Sequence, residues 1–187
     1  RIPYISSGRG DHALVFLPGA MVGPDMWFHS ILAFDQDYRI FAPGWPDIPL
    51  SARDTIAAFL AGMDAEGLDT VTLIGISAGG GTVQMLLQEQ LGRVAQAVIS
   101  HSGPLSPQVG AKLKKATRLM KLLPMSLLKA MSSQRAKEYP GNSLWTALTQ
   151  AYFKEQVAAS DKASTLHFFE ALIQTSETFV FDPHALD

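Results

Sequence analysis

One stretch limits what this chain can become more than any other. Thr70–Ile76 (TVTLIGI) runs directly into Gly75-Ile76-Ser77-Ala78-Gly79, and then into a segment that sets Val83, Leu86, Leu87 and Leu91 on one side. The first part is rich in β-branched residues and reads as a buried strand, whereas the last part has helical periodicity. Strand and helix follow one another with only a tight turn between them. Gly75 and Gly79 lack the Cβ atoms that would collide as the two elements come together. A strand, a Gly-x-Ser-x-Gly turn and a helix in immediate succession form the setting in which the serine of such a motif is a nucleophile. Ser77 then sits at a helix N-terminus, where unpaired N–H groups and the helix dipole favour developing negative charge.

Two phosphate-binding readings of the same residues fit poorly. A dinucleotide fingerprint requires Gly-x-Gly-x-x-Gly, but Ser77 stands at its second glycine, and the next strand ends at His101 rather than at an acid. A P-loop requires Gly-Lys-Ser/Thr, and no lysine precedes Lys112.

The rest of residues 1–103 alternates between strand and helix. His12–Leu17, Tyr38–Phe41 and Val94–Ser100 read as strands, and residues 1–8 as an antiparallel lead-in strand. Pro24-Asp25 opens one expected helix, carrying Trp27, Ile31 and Phe34. A second runs from about Ala52 to Glu66, with Ile56, Phe59, Leu60 and Met63 on one face. Strands separated by helices of this length imply a parallel sheet covered on both faces. Beyond Gly103 the pattern is helical through about residue 175, broken at Pro124 and at Tyr139-Pro140-Gly141-Asn142. Phe179–Pro183 then reads as a return toward the sheet.

Charge follows the same division. Residues 1–110 carry 10 acidic residues, 5 arginines and no lysine, residues 111–137 carry 8 basic residues and no acidic one, and residues 138–187 carry 7 acidic against 2 basic. The basic run reads either as the solvated face of an amphipathic helix or as a lid that meets anionic substrate or an interface. Met120, Leu122, Leu123, Met125, Leu127 and Leu128 would give that lid its apolar side. With no cysteine there are neither disulfides nor thiolate metal sites, and the five histidines lack metal-ligand spacing. No apolar run approaches the ~18 residues of a membrane span.

A second element lies at Leu17-Pro18-Gly19-Ala20-Met21, at the end of the first clear strand. Acyl transfer requires two converging N–H donors, one after the nucleophile and one from a neighbouring strand's loop. Ala78 supplies the first. Ala20 is the candidate for the second, with Met21 next.

In these features the sequence resembles the α/β-hydrolase superfamily over about residues 1–103. Leu17-Pro18-Gly19 stands where many members carry His-Gly, Phe41-Ala42-Pro43-Gly44 matches the loop after the next strand, and residues 75–79 fit the nucleophile turn. The resemblance implies an α/β fold, a three-layer parallel-sheet hydrolase core with a helical cap and the last two strands missing. Its segments are 1–103 (core), 104–176 (cap or lid) and 177–187 (return toward the core). It further implies a serine hydrolase of an ester, lactone or similar small carbonyl substrate. Ser77 would attack, Ala20 and Ala78 would hold the oxyanion, and Met21 and Trp45 would line the substrate. The superfamily places its acid and histidine after the seventh and eighth strands. Two more strand–helix units take on the order of 60 residues, and 11 follow the expected cap, so these 187 residues read as an inactive fragment of an active parent.

Among the histidines, His12 starts its strand, ~20 Å from the catalytic edge at about 3.3 Å per residue. His29 is expected more than a turn into a helix, His167 on a cap helix and His184 at the far end of the sheet. His101 alone follows a strand beside that of Ser77 at the correct end, and is the alternative base. Asp25, Asp47 and Asp54 read as helix or loop caps. The competing functional reading is a catalytically silent binding or scaffold protein of the same fold. In either case the expectation is a cytoplasmic protein with a small-molecule ligand and neither cofactor nor metal. It would have no nucleic-acid partner and no stable membrane insertion, and would self-associate through an exposed strand 94–100.

Overall fold

A computed structural model describes residues 2–46, 51–137, 143–182 and 184. Five strands form one sheet in the order β1-β3-β2-β4-β5: β1 (Tyr4–Gly8), β2 (Ala13–Leu17), β3 (Arg39–Pro43), β4 (Val71–Ile76) and β5 (Val94–Ser100). The last four are mutually parallel, and β1 runs antiparallel to β3 with Tyr4 opposite Pro43. This is the α/β-hydrolase fold expected from the sequence, with five strands among the described residues against the eight of the complete core.

The order of the strands places a site. The chain leaves β2 for β3 on one side, by way of α1 (Phe28–Phe34), and returns through α2 (Ala52–Ala65) to β4 on the other side. It then continues outward to β5 through α3 (Ala78–Glu89). The loops leaving β2 and β4 therefore diverge, and between two such strands a parallel sheet opens a crevice at its C-terminal edge. Leu17 pairs with Gly75, so the two strands end level with one another.

Two apolar clusters hold the layers. On one face, Val15, Leu17, Phe41 and Leu73 meet Ile56, Phe59 and Met63 of α2 and Val83 and Leu86 of α3. On the other, Leu14, Phe16, Ile40 and Ala42 meet Ile31 of α1. Burial of β2 and β3 on both faces explains their nearly uninterrupted apolar sequence. α2 starts on a reciprocal cap: Ser51 Oγ accepts the Asp54 N–H at 3.1 Å and donates to Asp54 Oδ2 at 2.7 Å. Asp54 is thus a cap residue, as its position implies, whereas Asp47 lies outside the described residues.

Two expectations for the first helix change. A short 3-10 turn at Pro24–Trp27 precedes α1, so His29 is the second residue of that helix rather than lying more than a turn inside it. Asp25 makes no side-chain cap; its carboxylate instead accepts a hydrogen bond from the distant Tyr152.

Four helices follow β5: α4 (Pro107–Leu122), α5 (Met125–Lys137), α6 (Leu144–Ala159) and α7 (Lys162–Thr178). Pro107 starts α4 and Pro124 follows its end. Ser143 and Asp161 cap α6 and α7 by accepting the N–H groups of Thr146 and Ser164. The expected break at Tyr139–Asn142 lies outside the described residues. The segment after α7 packs Phe179 and Phe181 against the core without forming a strand among the described residues; the Phe181 N–H donates to Leu105 O at 3.3 Å. Pro183, the end of the expected return, is likewise outside them.

Among the described residues, β5 is the parallel edge strand of the sheet, opposite β1 at the other edge, and Val98 near its centre is 52% exposed. An unpaired edge with apolar side chains is a template for another strand. We predict that the 187-residue chain associates with itself in solution and that Val98→Lys reduces the associated fraction. Sedimentation velocity over a concentration series checks this; a strictly monomeric chain would contradict it.

Candidate active site

Ser77 joins β4 to α3 with φ 53° and ψ −115°. That conformation costs a non-glycine residue about 1–3 kcal/mol and persists only where the surroundings enforce it. Here the surroundings do enforce it. The Ser77 N–H donates to Ser100 O at 2.9 Å, and its carbonyl accepts the N–H groups of Gly80 and Gly81 at 3.0 and 3.3 Å. A Cβ on Gly75 would lie 2.5 Å from Gly79 O, and one on Gly79 would lie 2.2 Å from Leu17 O. The two glycines therefore let α3 begin directly against the ends of β4 and β2. Gly80 does the same toward Ser102, in the loop after β5, where a Cβ would approach to 2.6 Å. The Ser77 side chain is exposed at this junction, while Ala78 is buried.

The loop after β2 is fixed from several sides. Trp45 Nε1 donates to Gly19 O at 2.7 Å, the Gly19 N–H meets Met26 Sδ at 3.2 Å, and the Gly23 N–H donates to Tyr152 Oη at 3.2 Å. Between these anchors lie Ala20 and Met21, the latter in the left-handed region at φ 62°. Among the described residues, no hydrogen bond engages the N–H of Ala20 or of Ala78. Two free donors thus stand on adjacent loops at the C-terminal edge of adjacent strands.

A mainly apolar cavity of about 420 Å³ opens beside them, between this loop, α2 and α3 on one side and α6 and α7 on the other. Met21, Trp45, Ala78 and Met85 form its core side, with Phe168 and His167 opposite. Trp45 also packs edge-on against Phe168 at 5.0 Å, which links the loop after β3 to α7. Met21 and Trp45, expected to line the substrate, are both in the cavity wall.

His101 stands where the sequence put it, after β5 and beside β4, with φ 52°. Its Nδ1, however, lies 2.7 Å from Ser100 Oγ, and the residue is exposed. Among the described residues, no hydrogen bond joins the Ser77 hydroxyl to a histidine or a carboxylate. His29 faces α6, with Nε2 3.1 Å from Thr149 Oγ1, and His12 lies at the opposite end of β2. His167 and Tyr152 were not legible as site residues, because both reach the site from helices far along the chain; Tyr152 and Asp25 are separated by 127 positions.

The basic helix α4 divides its charges. Lys114 and Lys121 pair with Glu177 and Glu170 of α7 at 3.2 and 2.7 Å, and Lys121 holds the Glu170 carboxyl below its ordinary pKa. Leu122 at its end is 83% exposed. Among the described residues, no group of histidines and acids has the arrangement of a metal site, and no helix is long and apolar enough to cross a membrane.

The crevice at the strand switch, the strained serine turn and the two free donors are arranged on an α/β-hydrolase fold. Solved structures bear out that fold. The chain is similar to a hydrolase from Pseudomonas aeruginosa PA01 (TM-score 0.70, 15% identity, covering 92% of this chain and 68% of that one). It is also similar to the enol-lactonase from Burkholderia xenovorans LB400 (0.67, 16%, 91% and 69%). A thermophilic esterase from Thermogutta terrifontis gives a TM-score of 0.73 at 12% identity, covering 92% and 67%. In sequence, the chain is 32% identical over 105 residues to carboxylesterase YbfK of Bacillus subtilis (strain 168), a match covering 51% of this chain and 36% of that protein. The match thus spans about a third of that relative's length. No family model matches the chain.

The close packing at Gly79 makes a direct prediction. Gly79→Ala should lower the unfolding free energy by roughly 1–3 kcal/mol, because its Cβ meets backbone that cannot swing away. Gly92→Ala, with no atom within 4 Å, should change it by less than about 0.5 kcal/mol. Urea unfolding of the two variants measures the contrast.

Proposed function

We propose that this chain carries the nucleophile and the oxyanion-binding loop of a serine hydrolase acting on an ester, lactone or similar small carbonyl compound. The observation that carries the reading is Ser77 at a positive-φ turn between β4 and α3, with the free N–H of Ala78 next to it and that of Ala20 in the loop after the adjacent strand β2. In this mechanism, Ser77 Oγ forms a bond to the carbonyl carbon, and the carbonyl π electrons move onto oxygen. The Ala20 and Ala78 N–H groups stabilise that oxyanion. Collapse breaks the bond to the leaving oxygen, which takes from the base the proton that Ser77 gave up and departs as the alcohol, and water then hydrolyses the acyl-enzyme. The cavity wall at Met21 and Trp45 takes the uncharged part of the substrate. Residues 104–176 act as the cap over the 1–103 core, and Phe179 and Phe181, packed against the core cluster, lead back toward it.

The proton acceptor is assigned to the acid–histidine pair that the superfamily places after its later strands. His101 is the alternative; to serve, its ring must give up Ser100 and turn to Ser77. The esterase and lactonase names among the similar proteins support the substrate class. A second reading, a silent binding or scaffold protein, is favoured by the Ser77 hydroxyl's lack of a base among the described residues.

Fluorophosphonate labelling of the native full-length protein that carries this chain separates the two. The hydrolase reading expects labelling that disappears in Ser77→Ala, together with a loss of at least about 10⁴-fold in ester hydrolysis. A folded native protein that takes no label would favour the binding role. Retention of labelling in His101→Ala would assign the base elsewhere.

A further inference from the structure

The donor loop is held at one end by its own neighbourhood and at the other by a distant helix. Its Gly19 end is fixed by Trp45 and Met26. At its Gly23 end the carbonyl accepts the Met26 N–H at 3.3 Å, and the N–H is satisfied by a single distant hydroxyl. Tyr152 Oη of α6 accepts the Gly23 N–H at 3.2 Å and donates to Asp25 Oδ1 at 2.9 Å, bridging the loop to the turn that follows it. Burial, and then the hydrogen bond to Asp25, push the phenol's pKa up, so the hydroxyl stays protonated and able to serve both partners. α6 contributes no fully buried residue, yet one face of it is committed to this contact. Trp145 packs on His29 at 4.3 Å, Thr149 bonds the His29 ring and Tyr152 bridges the loop, at spacings i, i+4 and i+7. One turn further on, Gln156 lines the cavity.

We infer that Tyr152 is a positioning residue: it locks the Ala20–Met21 loop to α6, so that the second oxyanion donor is in place only while α6 is docked. The inference rests on the hydrolase reading above. An oxyanion donor works only within a few tenths of an ångström of its productive position, and between Gly19 and Gly23 the chain includes a left-handed Met21 that relaxes once one end is freed. Without the hydroxyl, the Gly23 N–H and the Asp25 carboxylate both lose their partner, and the Gly23 end keeps only the Met26 N–H on its carbonyl and the packing of the buried Val22.

The test compares Tyr152→Phe, Asp25→Asn and Asp25→Ala with the native full-length protein by amide hydrogen exchange and by the rate of fluorophosphonate labelling. Tyr152→Phe keeps the ring and its packing on Phe153. It is expected to speed exchange at Gly23 and to slow labelling and kcat by about tenfold or more, as loss of a hydrogen bond to a charged group implies. KM and the thermal midpoint should change little. Asp25→Asn, which keeps a carbonyl acceptor, should restore most of the rate, and Asp25→Ala should not. Unchanged exchange at Gly23 in Tyr152→Phe would overturn the latch. Faster exchange with an unchanged labelling rate would overturn its link to the donor. A native protein that takes no label would instead refute the hydrolase reading, while the exchange measurement would still decide whether Tyr152 holds the loop.

Discussion

Everything around the site depends on how closely the start of α3 approaches the end of β2. A side chain at position 79 would overlap the Leu17 carbonyl, so the first turn of the helix rests on the backbone of a neighbouring strand rather than on side chains. That contact sets how the chain leaves β4, where Ser77 takes a positive φ, and brings the start of α3 against the end of β2. It is also what brings α3 over the sheet, where Val83 and Leu86 complete the larger apolar cluster. Stability of the core and geometry of the turn are therefore the same packing problem, and neither can be altered alone.

Much of this was legible in the sequence because it is local. The strands at 13–17, 71–76 and 94–100 and the helix at 52–65 follow from runs and periodicities that lie wholly within each element. The turn at 75–79 was legible for the same reason, since glycine spacing around a strand–helix junction states a steric requirement directly. β3 runs through Pro43, two residues past the expected end at Phe41. Pairing of Pro43 with Tyr4 of β1 extends the strand, and a contact between residues so distant in sequence leaves no mark in either segment. The shortening of α1 is a capping matter, because Pro24 starts a 3-10 turn before the α-helix takes over.

The opposite wall of the site was not legible. His167, Phe168 and Tyr152 belong to helices whose amphipathic patterns say which residues are apolar but not which surface they meet. The charges of α4 illustrate the limit. As a sequence they form one basic run, yet the structure turns Lys114 and Lys121 onto acids of α7 and leaves the rest of the run to other surroundings. A run that reads as a single charged surface is divided by packing into a surface brace between α4 and α7 and residues without an acid partner in α7.

The span between Asp25 and Tyr152 has a consequence in time as well as in space. Contacts between residues so far apart in the chain carry a large loop-closure cost and form late. The sheet, the serine turn and the Gly19 anchor all lie within the first 103 residues and need nothing from α6 to assemble. The far anchor of the donor loop must wait for α6 to be made and docked. The far end of the loop after β2 is thus made 129 residues before the tyrosine that bonds it, and the two bonds of that tyrosine belong to a layer of the fold that is synthesised later.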